Sequence, residues 1–141
     1  MIMKISRSRK TWLLLLSCAM LSLASCATTM SKENAVEERA KARWETLLAG
    51  DLDGAYGFLS PGFRSSVSSL QYQRSLLLMR IKWDDVRVIE SECEETTCNV
   101  SISLDYTLHG ALPGVSKFEG NQKIEESWLL VDGNWYFVPE K

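Results

Sequence analysis

The 141-residue chain has one histidine and four cysteines, and both scarcities exclude chemistry. With His109 as the only imidazole, a zinc site at Cys93 and Cys98 lacks its two further ligands. No Cys-x-x-Cys occurs, so the usual redox-active pair opening a helix is missing. No apolar run has the length of a membrane-spanning helix. The greasiest stretch, "TWLLLLSCAMLSLAS" at residues 11–25, falls short of the ~20 residues needed to cross the hydrocarbon core. Internal repeats and low-complexity segments are also absent. A chain of this length suits one domain.

What is present is concentrated at the start. Lys4, Arg7, Arg9 and Lys10 precede the apolar stretch with no acid among them, and small residues follow it. Basic, apolar, then small is the order of a cleaved export signal. Its end, Leu23-Ala24-Ser25-Cys26, resembles the bacterial lipoprotein signal at all four positions. The resemblance implies cleavage before Cys26, diacylation of its thiol and a further acyl chain on the freed amine. Two or more chains hold a soluble domain stably, whereas one gives marginal binding. Cys18, inside the apolar run, fits the pattern less well. Ala27 stands where an Asp would favour inner-membrane retention, so the expected location is the outer membrane, facing the periplasm. Without residues 1–25 the chain has twelve basic and eighteen acidic residues, a net charge of −6. That balance argues against nucleic acid and against binding anionic lipid by charge.

Cys93 and Cys98 bracket "CEETTC" between two strand-like stretches, "VRVIESE" and "NVSISLDYTL". In an oxidising compartment this reads as a structural disulfide clamping a hairpin mouth. Residues 27–33 read as a tether. Val36, Ala40, Trp44, Leu47 and Leu48 then share one helical face, ended by Gly50. Asp51 or Asp53 can cap a second helix, "LDGAYGFLS", before Pro61 and Gly62 break the chain. Ser68 and Gln71 form a capping box for a third helix through about Arg80, with Leu70, Leu76, Leu77 and Met79 as its apolar residues. After Trp83 the period falls to two. Val100, Ile102, Leu104, Tyr106 and Leu108 mark one strand face, "HGALPGVS" a loop, and a two-residue turn at Asp132-Gly133 or Gly133-Asn134 a closing hairpin. Trp128, Leu130, Trp135 and Phe137 share one face of that hairpin. If Cys93 faces Cys98, Ile89 falls on the face of Ile102 and Val86 and Val88 point away. A bulge near residue 90 or a covered second face would reconcile this.

The stretches "ARWETLLAGDLDGAYGFLSPGFR", "NVSISLDYTL" and "EESWLLVDGNWYFVP" resemble the nuclear transport factor 2-like superfamily over about residues 34–139. The resemblance implies an α+β fold, N-terminal helices on a curved antiparallel sheet, with a pocket at the open end. Members include enzymes, binding modules and assembly domains, so the fold does not choose among them. The expected organisation is a signal at 1–25, a lipidated Cys and tether at 26–33, and the domain at 34–141.

An isomerase or lyase on this fold needs an acid or base facing an apolar pocket opposite a proton donor. Asp105 and Tyr106 are adjacent on a strand and point to opposite faces. Glu126 has the parity of Trp128 and Leu130 but reads first as a strand-end surface charge. His109 lacks an orienting carboxylate. Asp51-Leu52-Asp53-Gly54 lacks the later ligands of a calcium loop. The acidic tip at Glu90 and "ECEETTC" reads as solvated. Candidate pocket residues are Tyr56, Tyr72, Trp83, Tyr106, Glu126 and Trp128. The expected protein is a lipid-anchored, non-catalytic module binding an envelope protein or a small apolar ligand, with a homodimer left open. No catalytic residue, metal or cofactor is expected; the alternative is a small isomerase or lyase using the same pocket.

Overall fold

The structure, a computed structural model, describes residues 30–140 apart from residue 113. The signal, Cys26 and residues 27–29 of the tether lie outside the described residues. Among the described residues four helices precede four strands: α1 Lys32–Leu48, α2 Leu52–Tyr56, α3 Pro61–Ser66, α4 Ser69–Leu78, β1 Ile81–Cys93, β2 Thr97–Leu112, β3 Val115–Val131 and β4 Asn134–Val138. The strands form one antiparallel meander in the order β1-β2-β3-β4. The fold class is the expected one, N-terminal helices packed on an antiparallel sheet.

The helix α1 starts within the span read as tether, because Ser31 caps it, its hydroxyl accepting from the Asn34 N–H at 3.2 Å. Val36, Ala40, Trp44 and Leu47 are buried as expected, but Leu48 is exposed and Arg43 is buried in its place. Asp51 caps α2, which stops at Tyr56. After it Gly57 and Phe58 form a turn, and the chain then pairs with β4 instead of continuing the helix: Leu59 bridges Phe137, and Phe58 and Ser60 exchange backbone hydrogen bonds with Phe137 at 2.8 Å. This segment covers the outer edge of β4. Pro61 does not break the chain either. It sits in the first turn of α3, where its missing N–H costs nothing, and Ser60 caps that helix.

The capping box of Ser68 and Gln71 opens α4 as expected. Its buried residue, however, is Tyr72; Leu76 is half-buried, and Leu70, Leu77, Leu78 and Met79 are exposed. A ten-residue helix touching the core through one turn buries little, and the remaining apolar side chains stand in the open.

In the sheet, β2 buries Val100, Ile102 and Leu104. The register shift between Val88 and Glu90 is the bulge that reconciles β1: it places Val88 opposite Ile102, turns Val86 and Val88 inward and leaves Ile89 exposed. A second shift lies between Trp83 and Asp85. Cys93 faces Cys98 and the two are disulfide-bonded, with sulfurs 1.96 Å apart. The segment read as the loop "HGALPGVS" is mostly strand, since β2 runs to Leu112 and β3 starts at Val115. The closing turn centres on Asp132 and Gly133, both at positive φ, as a two-residue hairpin of this twist requires. Trp128 faces Phe137 and Leu130 faces Trp135 across it.

Candidate functional site

The site begins with an acid in the wrong place for a surface charge. Glu126 shares the inward phase of Trp128 on β3, and α1 closes over it, leaving it 3% exposed. Its Oε1 accepts from Arg43 Nη1 at 2.6 Å and from Trp44 Nε1 at 2.9 Å, and its Oε2 accepts from Trp128 Nε1 at 3.2 Å. The strand-end reading of Glu126 is therefore overturned: the interior of the sheet, not its rim, holds the carboxylate. Arg43 is 5% exposed, its guanidinium carbon 3.9 Å from the Phe137 ring centre, and its Nε has no protein partner. Burial pushes the Glu126 carboxyl up from its ordinary value, while the Arg43 charge and the three N–H donors pull it back.

This cluster is closed rather than reactive. Every acceptor oxygen of Glu126 is engaged by a donor from its own fold, and no described cleft is lined by Glu126. Arg43 was missed by the sequence reading, although its signal was there: it lies three residues after Ala40 and seven after Val36, inside the apolar stripe of α1.

The six candidate pocket residues do not converge. Glu126 and Trp128 belong to the closed cluster. The Tyr56 hydroxyl donates to the Val67 carbonyl at 2.7 Å, and its ring lies 5.9 Å from that of Tyr72, whose buried hydroxyl has no protein partner. Tyr106 packs over Gly120, where a Cβ would come within 2.8 Å of the ring. Trp83 borders an opening beside α1, and Tyr106 lines a separate, more open cleft of about 420 Å³ with Asp84, Asp105, Glu119, Gly120 and Asn121. His109 is exposed at the end of the β2 pairing with Lys117. Asp105 faces out toward Arg87 and Asn121. Among the described residues, no group of three or more His, Cys, Asp or Glu could hold a metal.

The opening lies between α1 and β1. A cleft of about 510 Å³ is lined by Lys41, Trp44, Glu45 and Leu48 from the helix and by Asp85–Val88 from the strand. A second, of about 330 Å³, continues past Leu48 to Leu76, Leu77, Ile81 and Trp83. Trp44 and Trp83 meet edge to face at 5.6 Å beneath the junction. Together they form a groove with an apolar floor and a rim carrying both signs of charge. The exposed Leu77, Leu78 and Met79 extend its apolar surface at the end distant from the Cys93–Cys98 hairpin.

No family model matches the chain, and no curated protein matches it significantly. Among solved structures it is similar to a SEC-C motif-containing protein from Rhodopseudomonas palustris, with TM-score 0.57 and 15% identity over 72% of this chain and 73% of that one. It is also similar to a Campylobacter jejuni protein called an "NTF2-like transpeptidase", with TM-score 0.49 and 12% identity over 74% of this chain and 97% of that one. At these identities the likeness concerns the fold alone.

Proposed function

We propose that the protein is a lipid-anchored module of the bacterial outer membrane, facing the periplasm, which binds a small apolar ligand or an envelope protein without catalysing a reaction. The observation that carries the binding reading is the groove between α1 and β1: large apolar side chains stand open there among the described residues. The lipoprotein-like Leu23-Ala24-Ser25-Cys26 supports the anchor, and the Cys93–Cys98 bond fits an oxidising compartment.

The two features give the module a sense of direction. Lys32, at the start of α1, donates to the backbone carbonyls of Glu94 and Glu95, which ties the root of the tether to the hairpin tip. From Cys26 only five residues lead to Ser31, a reach of roughly 17 Å. The end of α1 bordering the groove lies about 25 Å along the helix from its start. In this reading the hairpin end faces the bilayer and the groove opens toward the periplasm, where a soluble partner meets it.

The isomerase or lyase alternative would need Glu126 or His109 in a pocket. Glu126 is spoken for by Arg43, Trp44 and Trp128, which favours the binding reading. Native mass spectrometry of residues 27–141 taken gently from the periplasm tests it. A non-covalent adduct that disappears on denaturation, and that Leu48→Glu abolishes, is the expected result for a small ligand. For a protein partner, crosslinks should map to Lys41 and Lys82. A chain that gives neither, or an adduct indifferent to Leu48→Glu, refutes the groove as a binding site.

A further inference from the structure

The β1 wall of the groove is also an open edge of the sheet. Strand β1 pairs only with β2, so one side of its backbone has no ladder partner among the described residues. Val86 and Val88 face inward while Asp85 and Arg87 face outward, yet all four line the same cleft. The cleft therefore wraps around the strand's free edge. A thirteen-residue open edge is a template for another strand, and the charges along this one select which strand fits.

We propose that β1 pairs antiparallel with β1 of a second copy of the chain, about a two-fold axis at Val86. This inference rests on the groove being a binding surface and names its occupant. On the outward face β1 carries Lys82, Asp85, Arg87 and Glu90, opposite Thr107, Asp105, Ser103 and Ser101 of β2. Two-fold pairing about Val86 sets Lys82 against Glu90 of the second copy and Asp85 against Arg87 of the second copy. Symmetry repeats both, so four opposite-sign pairs form across the junction. The match is insensitive to the bulges, because one lies on each side of Val86 and both ways of counting give the same charged pairs. Neighbouring registers fail: an axis at Asp85 sets that acid against itself, and an axis at Arg87 sets two guanidinium groups together. A shift of register also turns side chains to the wrong face.

The inward face agrees. There Val86 meets Val86, and Trp83 comes beside Val88 of the second copy, all of them only half-buried in a single chain. Within one chain Arg87 serves two carboxylates, Asp85 at 3.6 Å and Asp105 at 3.2 Å. A second copy supplies Asp85 with a cation of its own.

Sedimentation velocity of the full chain in mild detergent, over about 1 to 100 µM, tests the pairing. The wild type is expected to form a two-copy species. Asp85→Arg and Arg87→Asp each turn two attractive pairs into repulsive ones and should weaken association about tenfold or more. The combined D85R/R87D swap restores opposite charges and should restore the dimer, with circular dichroism showing every variant folded. A wild type that stays single throughout overturns the proposal, as does a swap no better than its single changes, or a single reversal that leaves association unchanged. A single-copy wild type carrying an apolar adduct overturns the pairing in favour of a small ligand, and leaves the groove reading standing.

Discussion

Replacing Glu126 by Gln removes the charge on which the interior turns. The new side chain is nearly isosteric and its carbonyl can still accept from one donor, but its amide group brings two more N–H bonds to a site already facing three. Arg43 then keeps its charge at 5% exposure with no counter-ion. Breaking a buried pair from one side costs about 3–5 kcal/mol, a large share of the ~5–15 kcal/mol that holds a small domain folded. Arg43→Met strands the carboxylate instead, with a cost of the same order. The double variant R43M/E126Q leaves no buried charge and keeps an acceptor for an indole N–H, so its loss should fall well below the sum of the two. Urea unfolding followed by tryptophan fluorescence reads all four proteins, because Trp44 and Trp128 report from the cluster. A loss under about 1 kcal/mol for Glu126→Gln, or single effects that simply add in the double variant, would refute the reasoning. The pH dependence has a definite sign. A carboxyl raised in the folded state binds its proton more tightly there than in the unfolded chain, so its contribution falls as pH rises from the ordinary value of 4.5 through the raised one. Arg43→Met removes the charge that pulls Glu126 back, so this decline should steepen in that variant and vanish in R43M/E126Q.

Four further outcomes are expected. Cys26→Ala should abolish incorporation of labelled fatty acid, and continued labelling would sink the lipid anchor. Replacing Cys93 and Cys98 by Ser opens a six-residue ring and should cost about 2 kcal/mol in the chain-entropy account, lowering the melting temperature without unfolding the domain at 25 °C. Gly120→Val should destabilise by forcing the Tyr106 ring aside, and Tyr106→Ala in the same chain should recover much of that loss in thermal melts; a Gly120→Val protein as stable as wild type contradicts the close packing. Lys82 and Thr107 donate to Asp84 and hold its carboxyl below the ordinary value of 3.8, so stability present above that value is lost as pH falls through the lowered one. Asp84→Asn should flatten the acid limb of a stability-versus-pH curve, and an unchanged limb would count against the contact.

Local signals were legible wherever the structure depends on neighbours in sequence. Alternation along β2, the turn at Asp132-Gly133, the capping box of Ser68 and Gln71 and the facing pair Cys93–Cys98 all involve residues a few positions apart. The same reading failed where a distant element decided the outcome. The segment Phe58–Ser60 continues a helical pattern by itself, but β4 offers it backbone partners about eighty residues away. The leucines of α4 look like a core stripe, yet that helix packs on α2 through Tyr72 and leaves Leu70, Leu77 and Leu78 exposed. In β1 the two valines and Ile89 could not be assigned to faces until the bulge fixed the parity on each side of it.

Glu126 sharpens the distinction. Its inward phase was readable, since Trp128 and Leu130 follow it at intervals of two, and Arg43 was just as readable within the stripe Val36, Ala40, Leu47. Each taken alone favours the bland outcome, a charge at the frayed end of a strand or a long side chain reaching past a helix edge into water. Taken together they point elsewhere. One acid and one base, each in the buried phase of its own element, cannot both be buried unless they meet, because an unpaired charge in that interior costs more than the domain can bear. Burial would then also require donors for the remaining lone pairs, and the tryptophans at positions 44 and 128, each in the buried phase of its own element, supply them. The pairing was thus implied by two amphipathic patterns in the sequence. What the patterns lacked was the distance between them, which only the packing of α1 on the sheet provides.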